Sequence, residues 1–499
     1  MSVIFHVVRQ EDATKFWNWQ ASTFTAASGV ATDLTATFSG GLWSYTTTYF
    51  QIATGTGTWE QARSYVVHEV VTDKAGNQTD IANSGFTFDI IAPTATVSTP
   101  VLASTSAIKA LPTIIGNAQD DLANQNVQIA LQRQTDGLWF DGTNFTVNQV
   151  APSFLPVTTL SANATYWTYT AGGSLDTKLT DNSKFTLVVR SSDVASNMQA
   201  LFAVPTSSFS FIMDKTAPTV TLSAPPNNGS SYQPANIGKS GSASLIKGTD
   251  NDPNSLASGV KRVQIEIYYL LSGNTYYWDG TSFSSFTVNA VTAWQSINNP
   301  GPGWTYPVDI NWPADMSHVI TLLARAEDKA LASDGSSPGN TSVPSTVGVD
   351  TMSFNLDFVV PSGTISWPSA NAAVSSATVQ MIGPATDDLS GVNLVQVEIS
   401  TGLAGSKVYW NGASWQAGQL WITTTTANPW SYTIPNTALA PGNGKFYYLR
   451  LQVTDTATNL FTTQTSTFTY NTTAPTVTIA PQAPNNGFYS AVQVSTPLA

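Results

Sequence analysis

The chain has 499 residues, which is too long for one hydrophobic core and predicts roughly three to five domains of about 100 to 150 residues each. Its formal net charge of −12 disfavours nucleic acid and anionic membrane surfaces as partners. Cysteine is absent, so disulfides, thiolate metal sites and thiol catalysis are excluded, and the sequence contains no apolar run long enough for a membrane span.

An internal repeat divides the chain. A segment ending in Ala-Pro-Thr or a near variant recurs at Pro93, Pro218, Pro361 and Pro475, with spacings of 125, 143 and 114 residues. Because each interval has the length of one domain, one domain is expected in each. The predicted units are a partial domain at 1–92, complete domains at 93–217, 218–360 and 361–474, and the first two strands of a further domain at 475–499.

Each interval carries the same predicted elements in the same order. An alternating strand comes first, because apolar and polar residues alternate at 127–131, 263–267 and 395–399. A hairpin follows, since Asp-Gly or Asn-Gly at 141–142, 279–280 and 411–412 supplies the positive φ angles of a tight turn.

The second half of each interval is equally regular. A Trp-x-Tyr strand, which places both rings on one face as core anchors, recurs at 43–45, 167–169, 304–306 and 430–432. An apolar strand then runs into an Asp-containing late loop near residues 73, 193, 328 and 455, and an exit strand ends the unit. Many short strands without a convincing amphipathic helix predict an all-β chain of sandwiches.

The strings Asp-Lys-Ala-Gly-Asn at 73–77 and Asp-Lys-Thr-Ala-Pro-Thr at 214–219, with Trp-Ser-Tyr between hairpin and loop, resemble bacterial immunoglobulin-like repeats of very large cell-surface proteins. The resemblance covers nearly the whole chain. It implies tandem immunoglobulin-like β-sandwiches in a linear rod and an extracellular or cell-surface location. The inserts at 272–299 and 331–347 depart from the compact family pattern, either as binding loops or as decoration.

The two ends match complementary parts of one domain. Residues 3–7 align with the strand at 395–399, whereas 475–479 and 492–494 align with the first two strands of a repeat. Apolar strand faces of lone half-domains favour association, so the tail of one chain is expected to complete the head of the next by strand addition. The residues of this interface are Val3, Phe5, Val7, Val477, Ile479, Val492 and Val494. The alternative is that a longer repeat protein has been cut between two strands.

Aspartates recur at three places in each repeat. One place is the loop after the second strand, with Asp120, Asp121, Asp250, Asp252, Asp387 and Asp388. The other two are the late loop and the exit strand, with Asp73, Asp89, Asp193, Asp214, Asp328, Asp357 and Asp455. Oxygen ligands at domain junctions suit calcium, which would offset the repulsion between these charges. The alternative is that the aspartates only cap turns.

Catalytic patterns are weak. His6, His68 and His318 do not share a metal-binding spacing. Glu266 and Glu398 are the best carboxylates for glycoside hydrolysis, but they occupy the same repeat position in different domains. The second repeat has an alanine there, which indicates a tolerated outward site. We therefore expect a protein that is not an enzyme.

The expected function is a structural subunit or segment of an extracellular filament or cell-surface stalk. Its partners would be further copies of itself, other surface proteins or glycans, without nucleic acid or membrane insertion. The alternative is an adhesive or carbohydrate-binding module, in which Trp294, Trp312 and Trp421, away from the repeat landmarks, contact a ligand. A third possibility is a spacer next to an enzyme domain outside this chain.

Overall fold

A computed structural model describes residues 1–477 except 22, 26–28, 30–31, 47–58, 102–106, 227, 243, 299, 337 and 426–427. Nearly all regular structure in these residues is β-strand, so the all-β prediction is confirmed. Helix is confined there to α1 (Asn436–Leu439) and to 3-10 turns at Leu175–Thr177, Pro234–Asn236 and Ala440–Gly442. Among the described residues, no helix has the length and apolar character needed to cross a membrane.

We keep the boundaries proposed from the repeat and number the domains 1 to 4. Domain 1 contains β1 (Ser2–Arg9), β2 (Asp12–Asn18), β3 (Thr23–Thr25), β4 (Leu34–Thr35), β5 (Thr37–Ser39), β6 (Leu42–Ser44), β7 (Ser64–Thr72) and β8 (Gln78–Thr87). Domain 2 contains β9 (Thr94–Thr99), β10 (Ala107–Ile108), β11 (Ile114–Gln119), β12 (Asn124–Arg133), β13 (Leu138–Phe140), β14 (Phe145–Val147), β15 (Leu155–Pro156), β16 (Thr159–Leu160), β17 (Tyr166–Tyr169), β18 (Ser183–Asp193) and β19 (Ser208–Met213).

The remaining two domains follow the same order of strands. Domain 3 contains β20 (Thr219–Ala224), β21 (Ser231–Tyr232), β22 (Lys247–Asn251), β23 (Val260–Leu271), β24 (Asn274–Trp278), β25 (Phe283–Ser284), β26 (Gln295–Asn298), β27 (Gly303–Thr305), β28 (His318–Asp328) and β29 (Thr351–Leu356). Domain 4 contains β30 (Ser362–Gly363), β31 (Ala372–Val374), β32 (Thr378–Gly383), β33 (Ala385–Thr386), β34 (Val392–Thr401), β35 (Val408–Trp410), β36 (Trp415–Ala417), β37 (Ile422–Thr423), β38 (Trp430–Pro435), β39 (Phe446–Asp455), β40 (Leu460–Thr462) and β41 (Ser466–Tyr470).

Domains 2 to 4 are sandwiches with a large sheet and a smaller facing layer. The large sheet of domain 2 has the order β10-β19-β18-β12-β13-β14, and its facing sheet has the order β16-β17-β11-β9. Domains 3 and 4 repeat this plan around the antiparallel pairs β23–β28 and β34–β39. In each, a short early strand (β10, β21 or β31) runs parallel to the last strand of the large sheet.

The tryptophan of the Trp-x-Tyr strand fills the space between the two layers. Trp167 and Trp430 are fully buried. A Cβ atom added to Gly116 on the neighbouring strand β11 would lie 2.3 Å from the Trp167 ring, so this position requires glycine. The close approach of the ring to the backbone explains how the predicted core anchor fits between two sheets.

Domain 1 lacks this closed arrangement in its described residues. Its large sheet has the order β3-β2-β1-β7-β8, and β5 and β6 form a separate short hairpin whose residues are largely exposed. Trp43, on that hairpin, is only half-buried and packs against Phe38 at a centroid distance of 5.0 Å. An apolar groove of about 260 Å³ remains open, and it is lined by Phe5, Val7, Leu34, Tyr45, Trp59, Val67 and Phe86.

The insert at 331–347 ties domain 3 to domain 2. The Leu331 amide donates to the Ala107 carbonyl at 3.0 Å, and the Lys109 amide donates to the Leu331 carbonyl at 2.9 Å. The Lys109 ammonium group also donates to the Pro338 carbonyl at 2.6 Å. This insert therefore acts as a strap across the junction.

Candidate metal centres at the domain junctions

Three aspartate clusters lie at the junctions between successive domains of the described chain. Each cluster joins the exit strand of one domain to two loops of the next, and its carboxylate oxygens lie within 4.8 Å of one another. The clusters are Asp89, Asp120 and Asp193; Asp214, Asp252 and Asp328; and Asp357, Asp387 and Asp455. One aspartate from each of the three recurring sequence positions is thus present at every junction.

The late-loop aspartate of each cluster is fixed by its own loop. Asp193 accepts hydrogen bonds from the amide of Asn197 at 2.9 Å and from its side-chain Nδ2, also at 2.9 Å. Asn340 makes the same two bonds to Asp328, and Asn459 makes them to Asp455. The turn therefore orients the carboxylate toward the junction before any ligand is considered.

The same asparagines also bridge the domains. Nδ2 of Asn197 donates to the Asp89 carbonyl at 3.0 Å, and Nδ2 of Asn340 donates to the Asp214 carbonyl at 2.7 Å. Nδ2 of Asn459 donates to the Asp357 carbonyl at 3.2 Å. Each domain is thus bonded to the residue that follows the exit strand of the domain before it.

Buried carboxylate oxygens at these clusters lack hydrogen-bond partners among the described residues. They are Asp89 Oδ2, Asp120 Oδ1, Asp214 Oδ1, Asp252 Oδ1 and Asp387 Oδ1. Asp214 is only 1% exposed, so its unpartnered Oδ1 is shielded from bulk solvent. Buried polar atoms are normally paired, and an unpaired carboxylate oxygen facing two other carboxylates is the arrangement that a cation satisfies.

The pKa values of several cluster residues reflect the same environment. Burial raises the pKa of Asp328 to about 6, and the nearby charge of Asp214 adds to the effect. Burial likewise raises the pKa of Asp455, helped by the charges of Asp357 and Asp387. Because desolvation and like charge both oppose ionisation, a bound cation would favour the charged form of every cluster member.

The donor set fits a hard cation such as calcium, since the cluster ligands are carboxylate oxygens without nitrogen or sulfur. Six of the predicted ligands, Asp89, Asp193, Asp214, Asp328, Asp357 and Asp455, lie in the clusters together with Asp120, Asp252 and Asp387. Asp73 does not lie in a cluster of the described residues. Asp121, Asp250 and Asp388, which share the recurring loop, are also outside the clusters.

Asp73 occupies the late loop of domain 1, where the described chain has no preceding domain. It is exposed, and it accepts bonds from the amide of Asn77 at 2.9 Å and from its Nδ2 at 2.9 Å. These hydrogen bonds from Asn77 lower the pKa of Asp73. The loop thus has the internal geometry of a junction loop without the buried cluster.

The residues predicted to mediate self-assembly differ in their exposure. Phe5 and Val7 line the groove of domain 1, but Val3 is fully buried within the domain and has no surface left for a partner strand. Val477 is 84% exposed. Ile479, Val492 and Val494 lie outside the described residues.

The tryptophans proposed as ligand contacts are largely engaged within the protein. Trp312 belongs to the core of domain 3, and its Nε1 donates to the Ile237 carbonyl at 2.9 Å. Trp294 is half-buried under the guanidinium of Arg325, which lies 3.9 Å from the ring centroid. Trp421 is also half-buried and lies 5.4 Å from the guanidinium of Arg450. Trp312 lies in the connection between β27 and β28, and its ring packs against Phe283 and Phe354 at centroid distances of 5.8 Å, so it is a core residue and not a surface contact.

The two glutamates considered for catalysis are buried in separate domains. Glu266 is 3% exposed, and burial raises its pKa to about 7. Glu398 is similarly buried and accepts a hydrogen bond from Gln419 at 2.5 Å. Their position faces outward from the sheet, as expected, but it is covered and is not a tolerant solvent site.

Each histidine pairs with one aspartate. His6 lies 2.7 Å from Asp33, and His68 lies 3.0 Å from Asp80. His318 lies 3.1 Å from Asp315 at the start of β28. These are single hydrogen-bonded pairs on separate strands of the fold.

Three solved structures illustrate how the chain compares with known proteins. The FN1–FN3 domains of chicken CNTN1 are 10% identical, with 73% of this chain and 96% of that chain covered at a TM-score of 0.22. A 1.5-MDa bacterial ice-binding adhesin is 13% identical, with 73% and 94% covered and a TM-score of 0.27. The sialic acid binding region of a Streptococcus sanguinis SK1 adhesin is 14% identical, with 77% and 78% covered and a TM-score of 0.18.

Sequence comparisons match two segments of the chain to known domain families. No curated protein matches the chain. One family model, described as a bacterial Ig domain, matches residues 361–446, and a second, described as a bacterial Ig-like domain, matches residues 24–90. These matches fall in domains 4 and 1, and both include the Trp-Ser-Tyr motif, whereas the Asp-Lys-Thr-Ala-Pro-Thr string at 214–219 lies outside them. Domains 1 and 4 therefore each contain a segment that matches a bacterial immunoglobulin-like family model, as expected for tandem repeats of this type.

Proposed function

We propose that this chain is a non-enzymatic structural segment of an extracellular filament or cell-surface stalk. The supporting observation is the repeated junction: an asparagine of each following domain donates to the backbone carbonyl at the exit of the domain before it, at 2.7 to 3.2 Å. A chain of domains joined end to end by one recurring contact transmits tension and spans distance. Its surface location follows from the usual setting of such repeats.

Calcium at the junction clusters would stiffen this stalk. The three carboxylates of each cluster come from two domains, so a shared cation would connect the exit strand of one domain to loops of the next. The cation supplies positive charge that offsets the repulsion among the carboxylates. Without it, we expect the junctions to remain linked by the asparagine bonds but to bend more freely.

Small-angle X-ray scattering of the purified chain tests this role. In calcium, we expect an extended particle, and after chelation we expect a smaller maximum dimension as the junctions bend. A compact particle in both conditions would contradict the stalk. An extended particle whose scattering is unaffected by chelation would support the stalk and contradict the role of calcium.

We further propose that residues 475–499 of one chain complete domain 1 of the next. In domains 2 to 4 an early strand pairs with the last strand of the large sheet, whereas β8 of domain 1 lies at the edge of its sheet in the described residues. Phe86 of β8 lines the groove and is 38% exposed. When Pro475 is set on Pro218, residues 488–489 align with β21, the short strand that runs parallel to the last strand of domain 3. The tail therefore has the apolar residues to cover the groove and to pair with β8.

Sedimentation velocity over a concentration series tests strand complementation. The intact chain should self-associate, and a chain without residues 475–499 should remain monomeric, since the deletion leaves the described cores intact. Adding the 475–499 peptide should raise the unfolding temperature of the shortened chain. A monomeric intact chain at high concentration would contradict the proposal.

Thr496 of the tail stands where the repeat in domain 4 has a glycine, and replacing it provides a variant that is expected to associate more strongly. Gly383 of β32 aligns with Thr496, and a Cβ atom on Gly383 would lie 1.9 Å from the Thr364 carbonyl oxygen. Thr496→Gly should therefore strengthen self-association by removing this crowding. Weaker association of Thr496→Gly would show that the tail does not adopt the register proposed here.

The adhesive alternative receives less support. A glycan platform requires exposed aromatic faces, but Trp312 is buried and Trp294 is half-buried beneath an arginine. The insert at 331–347 bridges two domains and is not a free binding loop. These placements favour the structural role.

A further inference from the structure

We propose that the late loop of domain 1, residues 73–77, is a docking surface for the exit strand of a second copy of this chain. Its direct contact would be a hydrogen bond from Asn77 Nδ2 to the backbone carbonyl of Asn471 in that copy. This inference rests on the proposed head-to-tail assembly, and it adds a polar contact outside the apolar groove.

The loop is preformed for this contact. Asn77 bonds to Asp73 through both its amide and its Nδ2, in the arrangement that Asn197 forms with Asp193. In domain 2 this arrangement directs the second hydrogen of Nδ2 to a carbonyl of the preceding domain. In the described residues, Asn77 Nδ2 donates to Asp73 and to no other acceptor.

The late loops of domains 2 to 4 are buried, whereas the late loop of domain 1 is exposed. Asp193, Asp328 and Asp455 are all 0% exposed, because the preceding domain covers each loop. Asp73 through Asn77 are exposed. Domain 1 therefore presents the same bonding pattern on an uncovered surface.

Asn471 is the structural counterpart of the exit aspartates. Its amide donates to the Val374 carbonyl, on the early strand of the same domain, at 3.0 Å. The exit aspartates make the equivalent bond: the Asp214 amide donates to the Ile108 carbonyl at 3.0 Å, and the Asp357 amide donates to the Tyr232 carbonyl at 2.9 Å. Asn471 is exposed, and its backbone carbonyl accepts no hydrogen bond from any described residue. The carbonyl thus occupies the acceptor position that the three internal junctions use.

The side chains at this joint are also compatible. The internal junctions place an exit aspartate beside the late-loop aspartate, whereas Asn471 would bring a neutral amide beside Asp73. The contact between copies therefore carries less like-charge repulsion than an internal junction. A second copy of the chain fits the loop in both hydrogen bonding and charge.

Sedimentation velocity of Asn77→Ala tests the contact, with Asn197→Ala as the matched control at an internal junction. One lost hydrogen bond should weaken self-association by about 3- to 10-fold in Asn77→Ala, and Asn197→Ala should match the unaltered chain. Asn77→Lys, which adds bulk and charge at the same exposed loop, should weaken it further. Circular dichroism should show unchanged folding in all variants.

The outcomes separate this inference from the proposed assembly. Self-association that persists unchanged in both Asn77 variants would overturn the docking surface and leave strand complementation standing. Failure of the unaltered chain to associate would overturn the assembly and this contact with it. Equal weakening by Asn197→Ala would also overturn the inference, since that residue lies inside the chain.

Discussion

Domains 1 and 4 share their central strands but differ in what covers them. The pair β1–β7 of domain 1 corresponds to β34–β39 of domain 4. In domain 4, the facing strands bury Trp430 completely, whereas the corresponding Trp43 is half-buried beside an open groove. The same motif is thus enclosed between two layers in domain 4 and only half-buried in the described residues of domain 1.

The late loops of domains 1 and 4 also differ in burial, although they form the same internal hydrogen bonds. Asp455 is fully buried against domain 3, and burial raises its pKa. Asp73 has the same loop bonds but is exposed, and those bonds lower its pKa. The loop sequence sets the local hydrogen bonds, while the neighbouring domain creates the buried carboxylate cluster.

The largest expected difference between domains 1 and 4 is the loss of stability when Trp43 or Trp430 is replaced by alanine. Trp430→Ala should destabilise domain 4 by about 3 to 5 kcal/mol, because it leaves a large cavity between the sheets. Trp43→Ala should destabilise domain 1 by less than about 1 kcal/mol, because its ring is already partly in solvent. Hydrogen exchange resolved by domain would measure both, and equal losses would break the comparison.

A second effect concerns the outward position that holds Glu266 in domain 3, Glu398 in domain 4 and His6 in domain 1. Burial raises the pKa of Glu266 from 4.5 to about 7, so the folded domain favours the protonated form. Because the folded state binds this proton more tightly than the unfolded state, protonation of Glu266 stabilises domain 3. This stabilisation is fully present below pH 4.5 and is lost as the pH rises through 7. Glu266→Gln should therefore stabilise domain 3 by about 3 kcal/mol at pH 8 and have little effect at pH 4.

Denaturant unfolding followed by domain-resolved hydrogen exchange at both pH values measures this difference. Glu398→Gln is the matched control, because its carboxylate accepts a hydrogen bond from Gln419 and lies 3.5 Å from Arg450. We expect no gain at pH 8 for this variant. A Glu266→Gln variant with the same effect at pH 4 and pH 8 would show that the raised pKa is not responsible.

The smallest effect is the stabilisation of an internal junction by calcium. At a free calcium concentration of about ten times the Kd, one site adds about 1.4 kcal/mol to the free energy of unfolding. Asp455→Asn should lose this increment in domain 4, whereas Asp73→Asn should keep it, since Asp73 lies outside the clusters. Thermal unfolding with calcium and with chelator would show the contrast, and loss in both variants would refute it.

Much of this organisation was readable in the sequence. Period-two alternation and recurring turn signals predicted the all-β fold, and the three recurring aspartate positions indicated that acidic side chains gather at junctions. Asp252 enters the cluster and Asp250 does not, because Asp250 lies within β22 and Asp252 follows it, and residue types alone do not specify where that strand ends.

Other features could not be predicted from the repeat, because an insertion or a long connection changes the spacing of the residues. Asn340 lies 12 residues after Asp328, whereas Asn197 lies four residues after Asp193, so the insert at 331–347 concealed the bridging asparagine of domain 3. The burial of Trp312, in the connection between β27 and β28, was not predicted either, because long-range packing decides where such a connection folds. Local pattern thus predicted the repeat but not the contacts that its insertions make.

Isothermal titration of the metal-free chain with calcium tests most directly whether the domain junctions are cation sites. We predict three bound ions per chain, one for each cluster of the described residues, and two in an Asp357→Asn variant. Asp73→Asn should retain three. Absence of calcium binding, or binding that Asp357→Asn leaves unchanged, would contradict this account.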